Sequence, residues 1–220
     1  MPYALRSGIS FCMVEERPVF LDLFADRYFG LSPTLEAAFL HVANGGETEP
    51  ARLPPFLAAC LLDPADTSGG ISACPAPEAI EALTGDSQRS TTASDTLAAA
   101  GWLARSHLAL KTGNLASAIQ HLATRKSALP ARAAIDAEAI YTCGVASSFA
   151  ACARWMSAHG RCLPWSLAIA HRLVSVGVSP LLFLGVRLTP FKAHAWVQVD
   201  RTVVVERLET TRMFTPILVV

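Results

Sequence analysis

Net charge is absent from this 220-residue chain: 18 Lys and Arg balance 18 Asp and Glu. The long-range attraction that draws a protein to phosphate backbones is missing, so no nucleic-acid partner is expected. No uninterrupted apolar run reaches the ~18 residues of a membrane helix, so no membrane partner is expected either. The first residues lack the basic segment, apolar core and small-residue cleavage site of a secretory signal. The six cysteines, at positions 12, 60, 74, 143, 152 and 162, include no CxxC or other metal-ligand spacing, and no metal is expected. A reduced cytoplasmic setting is the simplest one for them. There is no internal repeat and no phosphate-binding glycine loop, and no cofactor is expected.

What the chain does have is hydrocarbon. Apolar residues make up 52% of it, enough for one large core or two small ones. Residues 9 to 31 read as a β-meander: Ile9 to Val14, a turn at Glu15-Glu16-Arg17-Pro18, Val19 to Phe24, then Arg27 to Leu31. Ser32 and Pro33 open a helix that Asn44-Gly45-Gly46 stops, and Pro54 to Leu62 reads as another. Such a module has little core of its own, and its exposed sheet edge can accept an extended peptide as an added strand. Turn formers then dominate from Asp63 to Asp95, with one or two helical turns at Glu78 to Leu83. We place a first domain at residues 1–80, a linker at 81–95 and a second domain at 96–220.

The second domain opens with helices. One carries Leu97, Leu103, Leu108 and Leu110 and ends at Gly113; Asn114 caps the next, to Lys126. Ala133 to Cys143 and Ser147 to His159 read as one interrupted helix or two, with Trp102 and Trp155 as core residues. After residue 180 the pattern is strand: Leu181 to Leu188, Ala193 to Val199, Thr202 to Arg207 as a hairpin partner, and Pro216 to Val220. The fold class is α+β.

The chemistry centres on Cys162. Pro164 suits a first helical turn, Leu163, Leu167, Ala170 and Val174 recur at helical spacing, and Gly177 and Pro180 close the segment. Cys162 therefore opens a helix, where unpaired N–H groups and the dipole favour a thiolate. A lone cysteine more often simply packs. Downstream, however, His194 lies near the start of an alternating strand and can complete a Cys–His dyad. A third group must hold the imidazole. Asp200 lies about 20 Å along the same strand, at its turn. Glu206 falls opposite His194 if the hairpin loop has three residues or a bulge. Geometry favours Glu206 over Asp200. His159 is read as surface, and His171 lies too far along the helix to activate Cys162.

The segments Arg161-Cys162-Leu163-Pro164-Trp165-Ser166-Leu167-Ala168, Leu184-Gly185-Val186-Arg187 and Pro190 to Asp200, with its His194-Ala195-Trp196, resemble the B protein of lasso-peptide biosynthesis. The resemblance covers most of residues 140 to 220. It implies a transglutaminase-like, papain-like cysteine protease domain with Cys162 as nucleophile and His194 as base then acid. The N-terminal part is similar to the RiPP recognition element, a small winged-helix-like module that binds leader peptides. By that likeness the leader of a precursor peptide adds as a strand beside Arg27, Tyr28, Phe29, Gly30 and Leu31. The implied reaction is removal of the leader, just after a penultimate threonine. A separate ATP-dependent cyclase resembling asparagine synthetase is the implied partner that closes the macrolactam. Two positions depart from the family pattern: Val205-Glu206 stands where an Asn-Asp pair is usual, and Trp165 where Arg is frequent.

A different acceptor gives a different enzyme, since the same acyl-enzyme can be resolved by an amine as in a transglutaminase-like acyl transferase. A third reading is a non-catalytic leader-binding scaffold with a vestigial Cys–His–Glu arrangement.

Overall fold

The structure, a computed structural model, describes residues 3–46, 52–65, 71–84, 91–130, 135–156 and 161–220, with only the backbone for 135–137. The expected turn at 67–70, most of the polar run 85–92 and His159 lie outside the described residues.

The N-terminal meander is β2 (Ile9–Val14), β3 (Arg17–Asp22) and β4 (Arg27–Gly30), paired antiparallel in that order. The first turn is tighter than expected. Glu15 and Glu16 both take positive φ, the two-residue reversal whose twist matches a hairpin. Arg17 and Pro18 thus join the strand instead of the turn, Pro18 opposite Met13. Beneath lies α1 (Pro33–Ala43), with Phe39 seated edge-on against Phe11 and Phe20. The expected helix from Pro54 is a single π-helical turn, Leu57–Leu61, running into β5 (Leu62–Pro64). β5 pairs with a strand that periodicity did not reveal, β1 (Tyr3–Leu5).

The C-terminal half sets helices against a sheet. α2 (Ala93–Thr112) ends at Gly113, and Asn114 caps α3 (Leu115–Ser127) by accepting the Ser117 N–H at 2.8 Å. α4 (Ile135–Ala153) is one continuous helix that stops six residues short of the expected end. Trp155 lies beyond it and is 86% exposed, so it is not a core residue; Trp102 is half-buried. α5 (Cys162–Ser175) runs through the middle, buried nearly all round because α2, α3, α4 and the sheet all pack on it. Trp165 is buried there against Phe149.

The sheet has the order β10 (Thr215–Val219), β7 (Leu181–Arg187), β8 (Lys192–Val199), β9 (Thr202–Val204), β6 (Glu81–Leu83). A five-residue helix, α6 (Leu208–Arg212), links β9 to β10. β6 corrects the expected linker: Glu81–Leu83 is a strand, parallel to β9 and at the edge of this sheet, and α2 already begins at Ala93. The two halves also share hydrocarbon. Cys12, Val14, Val19 and Leu21 of the meander belong to the same core as Leu167, Leu184 and Ile217. The meander is thereby held against the C-terminal half, with Tyr28 beside Phe191 at 5.8 Å between ring centroids.

Candidate active site

Cys162 is the first residue of α5, and Pro164 in that opening turn forfeits no hydrogen bond. His194 stands on β8, opposite Gly185 of β7. The pleat puts His194, Trp196 and Gln198 on one face of β8, as expected from the alternation, and Ala195 and Val197 on the other. One buried hydrogen bond ties the two elements together: Ser166 Oγ donates to Ala195 O at 2.8 Å. Ser166 is one helical turn from Cys162, and Ala195 adjoins His194. Its spacing sets it on the face of α5 that carries Cys162, but nothing in the sequence names its partner.

Glu206 reaches His194 by a route other than the expected one. The β8–β9 turn has only two residues, Asp200 and Arg201, with Val199 opposite Thr202 and Val197 opposite Val204. Continued regularly, that register would set residue 206 opposite Ala195, on the face away from His194. The ladder instead stops at Val204, and Val205 takes φ +65°. Positive φ in a β-branched residue is strained and persists only where neighbours enforce it. Here the Val205 N–H donates to Leu83 O of β6 at 2.8 Å. That break turns Glu206 onto the imidazole, with Glu206 Oε2 3.3 Å from His194 Nε2. The contact is a charge pair rather than an aligned hydrogen bond. Glu206 Oε1 accepts the Arg207 N–H at 3.0 Å, which steadies the carboxylate. Asp200 stays at the turn tip, away from the ring.

Aromatic rings fix the imidazole plane. Phe214 lies 5.0 Å and Trp196 6.1 Å from His194, both roughly parallel to it. Gly185 leaves the space for them: a Cβ there would come within 2.6 Å of the Trp196 ring and 3.1 Å of Phe214 Cβ.

The electrostatics follow from these contacts. Burial pushes the Cys162 thiol up, but the hydrogen bond from His194, main-chain groups of Ala195 and Leu163 and the imidazolium charge outweigh it, and the net shift is down. Burial alone would lower His194, yet Cys162 and Glu206 together raise it to about 9. Glu206, despite burial, is held below its ordinary value by His194, the Arg207 N–H and Thr210. At neutral pH the site is an imidazolium beside a carboxylate, with the thiol biased toward its thiolate. With Nε2 facing Glu206, Nδ1 is the nitrogen left for the sulfur. Because the folded value of His194 lies above its unfolded one, its contribution to stability is full below about pH 6.5 and lost as pH rises through about 9.

The other cysteines lack this environment. Cys12, Cys74 and Cys152 are pushed up by burial, Cys12 to about 12. Of these four thiols, Cys162 alone is shifted down. Among the described residues no group of three His, Cys, Asp or Glu is placed to hold a metal ion, and no helix is long and apolar enough to cross a membrane.

On the N-terminal sheet, β4 is an outer strand, and among the described residues nothing pairs with its free edge. Arg27, Tyr28, Phe29 and Gly30 lie on it. Leu31 does not: it follows the strand and is buried in the N-terminal core with Phe39 and Leu57. Phe29 stacks on Phe20 at 5.3 Å, with the Arg27 guanidinium over its ring. Tyr28 points the other way, and burial, Asp26, Cys162 and Cys12 together push its phenol up to about 12. Tyr28 and Cys162 both pack against the core that the two halves share.

A family model described as the transglutaminase-like superfamily matches residues 88–219. Neither the curated proteins nor the solved structures searched contain a match.

Proposed function

The chain belongs to the transglutaminase-like superfamily, and on that premise we propose that it is a cysteine endopeptidase that removes the leader from a lasso-type precursor peptide. The observation that carries the peptidase reading is His194 set between Cys162 and Glu206, with the thiol shifted down and the imidazole up. The leader assignment is supported by the sequence likeness of the segments around Cys162, Gly185 and His194, and by the open edge of β4.

The reaction follows from the array. Cys162 Sγ attacks as the thiolate that its surroundings favour, and its new S–C bond with the scissile carbonyl carbon turns the carbonyl oxygen into an oxyanion. The Cys162 N–H at the mouth of α5 is placed to donate to that oxygen. His194 Nδ1–H then protonates the departing amine as the C–N bond breaks, which leaves a thioester. A water, deprotonated by the now neutral His194, attacks the thioester and releases the carboxylate product and the thiolate. Glu206 stabilises the imidazolium formed or retained at each stage and keeps the ring facing the sulfur.

In this reading the leader adds as a strand along β4 and the chain passes over Tyr28 to Cys162. A cavity of about 250 Å³, bordered by Val19, Tyr28, Gly30, Leu188 and Phe191, joins that edge to the loop before β8. The core peptide then goes to an ATP-dependent, asparagine-synthetase-like cyclase. The test is incubation of the purified chain with a precursor peptide, read by mass spectrometry. One cut at the leader–core junction is expected; an intact peptide overturns the proposal.

The edge strand gives a separate prediction. Alternate residues of an edge strand aim their N–H outward, so one of Tyr28→Pro and Phe29→Pro deletes an outward donor and spares the pairing to β3. That variant should bind the leader about tenfold more weakly, the equivalent of roughly one hydrogen bond. Titration of a labelled leader measures it, and unchanged affinity in both variants removes the strand-addition model.

A further inference from the structure

A second polar site lies on another face of α5. His171 is nine residues from Cys162, about 13 Å along the helix axis, and with Ser106, Arg105 and His121 it lines a cavity of about 240 Å³ between α2, α3 and α5. Trp102 stands behind that lining and organises it. His171 stacks on its indole at 5.8 Å and 15°. The Arg125 and Arg105 guanidiniums stand 5.1 and 5.9 Å from the same ring. His121 lies 5.3 Å from His171.

These groups share a polarity. Arg125 Nη1 donates to His171 Nδ1 at 3.3 Å, so His171 is neutral and carries its proton on Nε2. Burial, then Arg125, His121 and Arg105, hold His171 down to about 4, with no carboxylate among its charged neighbours. Among the described residues neither Arg105 nor Arg125 is ion-paired. Ser106 sharpens the point. It is 3% exposed, yet among the described residues its hydroxyl has no hydrogen-bond partner. A serine inside a helix ordinarily bonds back to a carbonyl one turn earlier, and a buried hydroxyl left unbonded costs free energy.

We propose that this cavity is an anion site that takes a phosphate group, either free phosphate or the terminal group of a phosphomonoester. Arg105 on the lining supplies charge and forked donors, Arg125 behind His171 adds positive charge, and Ser106 and His121 supply further hydrogen bonds to a tetrahedral oxyanion. A planar carboxylate would leave part of that donor set unused. Because Leu167 and His171 belong to α5, occupancy bears on the helix that carries the nucleophile. The site is independent of the leader-peptidase proposal.

Calorimetric titration of the full chain tests it, with ionic strength held by sodium chloride. The probes are inorganic phosphate and glycerol 3-phosphate. Saturable binding is expected, weakened about tenfold or more in Arg125→Gln or Arg105→Gln. Arg105 is exposed, so Arg105→Gln keeps the test open if Arg125→Gln fails to fold. Tighter binding of the ester assigns the site to a phosphomonoester, and equal or weaker binding assigns it to free phosphate. No saturable binding of either probe at millimolar concentration, or binding that neither variant weakens, overturns the site.

Discussion

Replacing Cys162 with alanine should abolish cleavage of the precursor, by about a thousandfold or more in kcat, while leaving leader affinity unchanged. The size follows from the role. Without the sulfur no acyl-enzyme forms, and single deletions of a concerted nucleophile–base unit cost nearly as much as removing the whole unit. Binding is spared because the leader is proposed to add along β4, whereas Cys162 opens α5. Stability should change by no more than about 1 kcal/mol, since the thiol is only half-buried. Mass spectrometry of timed digests and a leader titration on one preparation measure both arms. Residual cleavage near the parent rate would show that the nucleophile is elsewhere. Lost affinity would mean that leader and thiol share one site.

Glu206→Gln should lower kcat by about a hundredfold, in the range by which a positioned acid–base group contributes. It should also move the alkaline limb of the pH profile toward acid. The sign follows from the charge. Glu206 is one of the two groups that raise His194 to about 9, so a neutral amide lets the imidazolium lose its proton at lower pH. Asp200→Asn is the control: at the turn tip it should leave both rate and profile unchanged. A loss in Asp200→Asn with none in Glu206→Gln would reassign the acid.

How much of this was legible in sequence depended on how local the cause was. Cys162 to Ser175 could be read because proline, apolar spacing and Gly177 all act within the segment. β8 could be read because half-buried strands alternate. Glu206 was identified for a reason the structure replaces. A bulged loop was expected to bring it opposite His194, whereas a two-residue turn and a left-handed Val205 do so. That strain is held by Leu83 of β6, 122 residues earlier in the chain, and nothing local in either segment announces the pairing. β6 and β1 escaped notice for the same reason. Strands of three residues carry no measurable period, and their place is set by distant partners. Trp155 shows the converse: an apolar identity says nothing about burial once the helix ends before it.

The polar groups at Ser166 and Ser106 were equally silent. A serine within an apolar helix reads as a neutral filler, and only the structure shows that one bonds Ala195 O and that the other, among the described residues, bonds nothing. The N-terminal meander was legible as strands, but its sharing of a core with α5 and β7 was not. Amphipathic patterning states that a face is buried and leaves open what buries it.

The most direct test is the rate at which Cys162 is alkylated by iodoacetamide as a function of pH, located by peptide mapping. A thiolate held by His194 predicts a midpoint below the ordinary thiol value and a shift of that midpoint upward in His194→Ala. A midpoint at or above the ordinary value, unmoved by His194→Ala, would contradict the thiolate–imidazolium pair on which the enzymatic account stands.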